Sequence, residues 1–282
     1  MDNTLFFPID SPYGIAYRKD SPEYPVGPHA HDGVEIYISL TALPDVLLGD
    51  RVYAVPVDTL IIIPPFCVHQ LYHETGIVYE RYVLNIQDTW LKNVLYGLSN
   101  VLPSLLPNSE PQMFELTSRK GGAFKESLTE SIQPLLSSSH PTDPGSLSVL
   151  FRLLSLITDY AHSLSKARTT LPISPSQKKV NEIISYIQSR ISADVRISDL
   201  ADHFYMNPDY LARLFKRHTH IALGQYITMQ RITKAQLLLR EGRSVAAVSE
   251  VLGYSDYAYF FKTFQKVTGI SPSRYRAKYC GQ

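Results

Sequence analysis

The chain has 282 residues, 44% of them hydrophobic, with 27 Lys+Arg against 26 Asp+Glu and a formal net charge of +1. That length exceeds what a single hydrophobic core usually organises, so two domains are expected. Two cysteines exclude a disulfide framework and fit a reduced, cytoplasmic compartment. No apolar run approaches the ~20 residues of a membrane span, and the first residues lack the basic-then-apolar pattern of a signal peptide. The near-neutral total hides an asymmetry: residues 1–176 carry 11 Lys+Arg against 18 Asp+Glu, whereas residues 177–282 carry 16 against 8. A polyanionic partner suits the second part and not the first.

Residues 1 to about 90 read as β. The runs Val34–Ile38, Asp45–Leu48, Arg51–Val55, Thr59–Ile63 and Val78–Leu84 are rich in branched and aromatic residues and are punctuated by Pro, Gly and Asp. This predicts a sandwich or small barrel. Two stretches stand out, His29-Ala30-His31-Asp32-Gly33-Val34-Glu35 and Pro64-Pro65-Phe66-Cys67-Val68-His69. They resemble the two signature stretches of cupin barrels, and His29, His31, Glu35 and His69 match the cupin metal-ligand positions. The glycine expected near Val57-Asp58 is absent. Strand alternation places His29 and His31 on one face, to which Glu35 returns. Three imidazoles and a carboxylate suit Zn²⁺, Fe²⁺ or Ni²⁺; the same four groups equally suit a polar pocket that hydrogen-bonds an organic ligand. Tyr37, Arg81, Tyr72 and His73 are further candidates for polar contacts in the barrel mouth, and each is equally at home as a rim residue.

The period then changes. Phe124, Leu128, Ile132 and Leu135 follow helical spacing, as does a longer series, Leu147, Leu150, Phe151, Leu154, Ile157, Ala161 and Leu164. The stripe can pack on its own barrel, form a dimer interface, or do both. Residues 166–176 are polar and carry two prolines, a linker pattern between a first domain, 1–165, and a second, 177–282. Gln177 then opens a helix with the apolar stripe Val180, Ile183, Ile184, Ile187 and Ile191.

The last third repeats itself. From Tyr210 and Tyr259 onward two copies run in register: Leu211 matches Phe260, Arg213 matches Lys262, Phe215 matches Phe264, Thr219 matches Thr268 and Tyr226 matches Tyr275. Upstream of the turn the second copy has one extra residue. Ser198 and Ser244 sit where N-caps should, and each apolar run breaks within a few residues, at Tyr205-Met206-Asn207 and at Gly253-Tyr254-Ser255. Each following helix pairs an inward stripe with a polar or basic face. The pattern is two helix-turn-helix units joined by a helix over roughly residues 227–241.

This stretch resembles the C-terminal DNA-binding domain of the AraC/XylS family of bacterial transcription regulators, most specifically in Gly253-Tyr254-Ser255-Asp256, Tyr259-Phe260, Phe264 and the run from Gly269 to Arg276. His220 departs from the pattern by standing where the family has a helix-ending glycine. The resemblance implies an α+β chain: a cupin-like β-barrel with a helical dimerisation segment, then an all-α DNA-binding domain. It implies a cytoplasmic bacterial protein, nucleoid-associated when bound to DNA, with no membrane association. The implied partners are double-stranded promoter DNA, a small-molecule effector, a second copy of the chain, and RNA polymerase if the protein activates. No cofactor is required, and a divalent metal in the barrel stays open. Resemblance and helical geometry together point to Asp209, Ala212, Arg213 and Lys216 in the first recognition helix and to Tyr257, Ala258, Phe261 and Lys262 in the second. Arg213 is the best candidate for a base edge, while Lys216, Arg217, Lys262 and Lys266 suit phosphate. Asp209 fits a helix N-terminal charge better than a cytosine contact, and Phe261 can also belong to the core. The competing readings are a cupin-type metalloenzyme fused to a DNA-binding domain and a DNA-bending protein with no effector.

Overall fold

A computed structural model of the chain describes residues 9–21, 27–72, 74, 76–94, 110–138, 142–164, 174–192 and 195–280. The expected linker lies mostly outside these residues, as does His73. Eight strands are formed among the described residues: β1 (Tyr13–Asp20), β2 (Gly33–Ser39), β3 (Leu43–Leu48), β4 (Arg51–Val55), β5 (Thr59–Ile63), β6 (His69–Leu71), β7 (Tyr79–Gln87) and β8 (Gln112–Glu115). They make two antiparallel sheets, one ordered β1-β7-β2-β5-β8 and a smaller one ordered β4-β3-β6. No ladder among the described residues joins the sheets into a closed ring, so the expected barrel is reduced to two sheets. An isolated bridge, His29 with His69, ties β6 to the segment that leads into β2.

A short helix, α1 (Asp88–Val94), follows β7. The sheet domain ends in α2 (Arg119–Leu136) and α3 (Pro144–Leu164). Val34, Ile36 and Ile38 of β2, with Leu60 and Ile62 of β5, form one core with Leu128 and Ile132 of α2 and Leu150, Leu154 and Ile157 of α3. The opposite face of the same strands, Tyr37, Ile61 and Ile63, meets Val46, Leu48 and Leu71 of the small sheet. With both faces covered, every residue of β2 and β5 is buried, which is why β5 reads as an unbroken apolar run. The inner side of α3, Leu150, Leu153, Leu154 and Ile157, thus packs within the chain. Leu147, Val149 and Phe151 are half-buried against the same core.

The rest of the chain is helical: α4 (Pro175–Ser189), α5 (Ile197–His203), α6 (Pro208–Thr219), α7 (Leu223–Arg240), α8 (Val245–Val251), α9 (Tyr257–Thr268) and α10 (Pro272–Tyr279). The α4 helix starts earlier than Gln177. Ser174 caps it, accepting from the Gln177 amide, while the Gln177 side chain accepts from the Ser174 amide, a reciprocal box. Ser198 does not cap α5; that position falls to Arg196, which has no side-chain cap bond, and Ser198 lies inside the first turn.

The outer face of the small sheet is covered by these helices. Leu47 and Val52 join Val180, Ile183, Tyr226 and Leu239 in one buried cluster, together with Ala30, Phe66 and Val68. Polar contacts complete the joint. The Asn181 side chain accepts from the Val52 amide at 2.7 Å and donates to the Val52 carbonyl at 3.2 Å, satisfying the edge of β4 as another strand would. Asp45 accepts from Gln177 at 3.0 Å and meets His218 Nδ1 at 3.2 Å, while the Tyr226 hydroxyl donates to the Gly49 carbonyl at 3.1 Å. Replacing Asn181 by Ala strands two groups on β4 and should lower stability by about 1–3 kcal/mol. Urea unfolding of the full chain measures this; an unchanged midpoint would mean water satisfies the edge equally well.

Candidate functional site

The two helix-turn-helix units agree down to individual hydrogen bonds. In the first, the turn residue Tyr205 has φ +54° and Met206 N donates to Ala201 O at 2.9 Å; in the second, Gly253 has φ +70° and Tyr254 N donates to Ser249 O at 3.1 Å. Ser255 is therefore the extra residue, and it lies within the turn rather than upstream of it. Asn207 caps α6 through the amides of Asp209 and Tyr210 (2.9 and 3.3 Å), and Asp256 caps α9 through those of Ala258 and Tyr259 (2.7 and 3.2 Å). At the far ends Thr219 donates to Phe215 O and Thr268 to Phe264 O, at 2.8 and 2.9 Å. His220 and Gly269 then take the same left-handed conformation.

The inward stripes Leu211, Leu214, Phe215 and Phe260, Phe264 are buried. On the other faces Asp209, Arg213, Lys216 and Arg217 of α6 are exposed, as are Tyr257, Ala258, Lys262 and Lys266 of α9, with Ala212 and Phe261 half-buried. Phe261 lies beside Tyr257, ring centroids 6.4 Å apart, and outside the core cluster. The five basic residues form no ion pair with another described residue. Asp209 sits in the first turn of α6, beside the amides that Asn207 caps. Between the units, α7 spans 18 residues, roughly 27 Å at 1.5 Å per residue.

A second constellation lies at one end of the small sheet. His29, His31, Glu35 and His69 bring four candidate ligand atoms within 4.8 Å of one another. The reason differs from simple alternation. The strand begins only at Gly33; His29 is instead held by a bridge whose two backbone bonds to His69 measure 3.0 and 2.9 Å. Each imidazole is oriented by a neighbouring carbonyl: His29 Nδ1 meets Gly27 O at 3.0 Å, His31 Nδ1 meets Gly33 O at 2.9 Å and His69 Nδ1 meets Cys67 O at 2.9 Å. A carbonyl only accepts, so each Nδ1 carries a proton, and Nε2 is the atom left to face the cluster. Two Nε2 atoms face Glu35 Oε2, from His31 at 3.2 Å and from His69 at 3.8 Å. The His69 Nε2 is fully buried and makes no hydrogen bond. Burial, then the neighbouring His69, lowers the His29 pKa to about 3, keeping that ring neutral. Burial raises the Glu35 carboxyl, but the hydrogen bond from His31 and the nearby His69 imidazole outweigh it and hold the group below the usual carboxylate range. Three imidazoles and a carboxylate with ligand atoms this close fit a divalent cation.

Among known families, a helix-turn-helix domain matches residues 200–278 and an AraC-like ligand binding domain matches residues 11–155, more than half the chain. The chain belongs to the AraC/XylS family of transcription regulators. The regulatory protein PocR of Salmonella typhimurium is 31% identical over 122 residues, 43% of this chain but only 40% of that protein. The transcriptional activator RhaR of Mannheimia succiniciproducens is 23% identical over 286 residues, 98% of this chain and 96% of that one. Of solved structures, the C-terminal domain of AraT, a response regulator from Geobacillus stearothermophilus, shares 30% identity over 39% of this chain and 89% of that one, at a TM-score of 0.36.

Within this AraC-family chain the four cluster residues come together, and the other candidates do not. Tyr37 follows Glu35 on the same face of β2 but is packed in the inter-sheet core, where burial pushes its hydroxyl pKa up. Arg81, opposite Ser39 at the far end of β2, is held by Asp20 at 2.7 Å. Tyr72 faces the helical domain instead, stacked on His220 at 3.5 Å with the rings 4° apart. The family glycines missing from the sequence are explained by geometry. Asp58 takes φ +55° and binds Lys125 at 2.6 Å; His220 takes φ +55° and holds the Tyr72 stack. Sequence reasoning missed the joint itself, Asp45, Asn181 and Arg240, because nothing local marks a polar residue for a distant partner.

The His220 position separates strain from contact. His220→Ala loses the stack and keeps the backbone cost, while His220→Gly loses the stack and sheds the cost of about 1 kcal/mol. Glycine should therefore be the more stable replacement by thermal unfolding, the reverse of helix propensity. Equal midpoints would mean no strain resides there.

Proposed function

We propose that this regulator reads one promoter duplex with both recognition helices, α6 and α9, and that its sheet domain adjusts their freedom in response to a ligand. The observation carrying this reading is the duplicated turn with both polar faces open to solvent. Residues 1–165 act as the sensing and dimerisation domain, 166–176 as the linker and 177–282 as the DNA-binding domain. Arg213 reads a base edge, guanine O6 and N7 being the commonest partner for arginine. Lys216, Arg217, Lys262 and Lys266 clamp phosphate, which gives affinity without sequence choice. Ala212, Tyr257, Ala258 and Phe261 offer apolar contact, for example to a thymine methyl, and Asp209 serves as an N-terminal helix charge. The weaker basic face of α9 makes the second unit the more degenerate reader.

The protein acts as a homodimer in the bacterial cytoplasm, nucleoid-associated when bound, and touches RNA polymerase if it activates. No helix among the described residues is long and apolar enough to cross a membrane. In the sheet domain, the carbonyl-bonded Nδ1 atoms and the carboxylate support His29, His31, Glu35 and His69 as holders of a divalent cation, a ligand or the anchor for a small-molecule effector. The role is sensory rather than catalytic, as the regulator relatives suggest.

Arg213→Ala should cost about 1–3 kcal/mol at one base pair and relax specificity there. Gel shifts on a set of single-base variants measure it; equal loss on every sequence would reassign Arg213 to phosphate. Elemental analysis of the purified protein should find a divalent metal that a His29→Ala/His31→Ala double variant lacks. Finding none in either would remove the cation and leave a purely organic ligand.

A further inference from the structure

We propose that Phe66 and Arg240 carry the occupancy of the histidine cluster to the DNA-binding half, so that a bound divalent cation tightens the joint between the two halves and its loss loosens it. This rests on the cation reading above and adds a path through named residues.

The cluster is contributed by two separate segments, residues 29–35 and the turn 64–69 that ends in His69. Phe66 is in that turn, and its amide donates to the His31 carbonyl at 2.8 Å, tying the turn to the other ligand segment. Its backbone has φ +61°, a left-handed conformation that costs a non-glycine residue about 1 kcal/mol and persists only when its surroundings hold it. The ring belongs to the cluster shared with the helical half and lies beneath the Arg240 guanidinium, 4.9 Å from ring centroid to cation.

Arg240 is the last residue of α7, immediately before the second helix-turn-helix unit. Its side chain is only 8% exposed, and Nη2 lies 3.9 Å from Asp88 Oδ2. Asp88 is in turn attached to the first ligand segment, its amide donating to the Asp32 carbonyl at 3.4 Å. One buried guanidinium therefore touches one ligand segment through Phe66 and reaches the other through Asp88, which is bonded to it. A second path reaches the middle of the same helix. Gly49 N donates to Val68 O at 2.8 Å, and Gly49 O accepts from Tyr226 at 3.1 Å and from Gln230 at 3.3 Å.

The direction follows from size. Donors about 2.1 Å from a tetrahedral zinc stand roughly 3.4 Å apart, whereas the four candidate atoms spread to 4.8 Å. Uptake contracts the cluster and holds His69, and with it the turn bearing Phe66, against residues 29–35. Without the cation no ligand bonds join the turn to residues 29–35, only its backbone bonds and packing remain, and local opening becomes easier.

The test uses the full chain, stripped with a chelator that is then removed, and Zn²⁺ as the probe. Calorimetry gives the stoichiometry, and hydrogen exchange followed by mass spectrometry reads the joint in peptides covering 45–53 and 226–241. One Zn²⁺ per chain should bind and slow exchange there about tenfold, within the usual range of coupling between sites. Phe66→Gly suits the left-handed backbone and leaves all four ligands in place, so it should bind Zn²⁺ normally while most of the slowing disappears. Arg240→Met is the second probe; Asp88 keeps its 2.7 Å bond to Lys92, so no carboxylate is left stranded. Zn²⁺ bound with no slowing in the wild type, or full slowing in both variants, would overturn the path while leaving the site. No Zn²⁺ bound would remove the cation reading itself and the path with it.

Discussion

Leu47 and Val52 point away from the interior between the two sheets, and the helical half is what covers them. A three-stranded sheet left alone would expose an apolar outer face and an unpaired edge at β4. The helices remedy both defects at once: Val180, Ile183 and their neighbours bury the face, and Asn181 satisfies the edge. This dependence is mutual, because the same contact completes the core beneath α4 and α7. The DNA-reading elements are mounted on the sensor's own sheet, so the two halves form a single packed stack of helix pair, large sheet, small sheet and helical domain.

From that stack comes an asymmetry between the two reading units. The first is fastened at the end of its recognition helix, where His218 meets Asp45 and His220 stacks on Tyr72. The second is fastened through Arg240, one turn ahead of its first helix. The small sheet thus contacts α6 directly, while residues 66 and 88 contact the end of α7 that precedes the second unit. The two attachment points flank one helix, the first just ahead of α7 and the second at its last residue.

Much of this was legible in the amino-acid order, and the exceptions have physical causes. β4 and β5 fall on the expected residues, Arg51–Val55 and Thr59–Ile63, because their branched runs end sharply at Pro and Gly-Asp punctuation. β1 escaped notice because it is an outer strand with half of its residues exposed and no alternation to read. β8 is short and half-buried throughout. The duplicated units were visible because each repeats a local pattern of cap, turn and stripe. The histidine cluster was visible as residues, but its cause was not: a backbone bridge between positions forty apart, rather than one strand, brings His29 to His69. The joint between halves stayed hidden for the same reason. Asn181, Asp45 and Arg240 are ordinary polar residues until a distant segment arrives.

His220 has one more implication, for how the molecule can be taken apart. Its left-handed backbone is offset by a ring contact that belongs to the other half, so severing the chain between the halves does not yield two unperturbed pieces. A fragment bearing only the helices inherits the unfavourable torsion without the aromatic face that compensates it. Affinities measured on such a fragment would start from an altered zero, shifted at the end of the very helix that reads DNA.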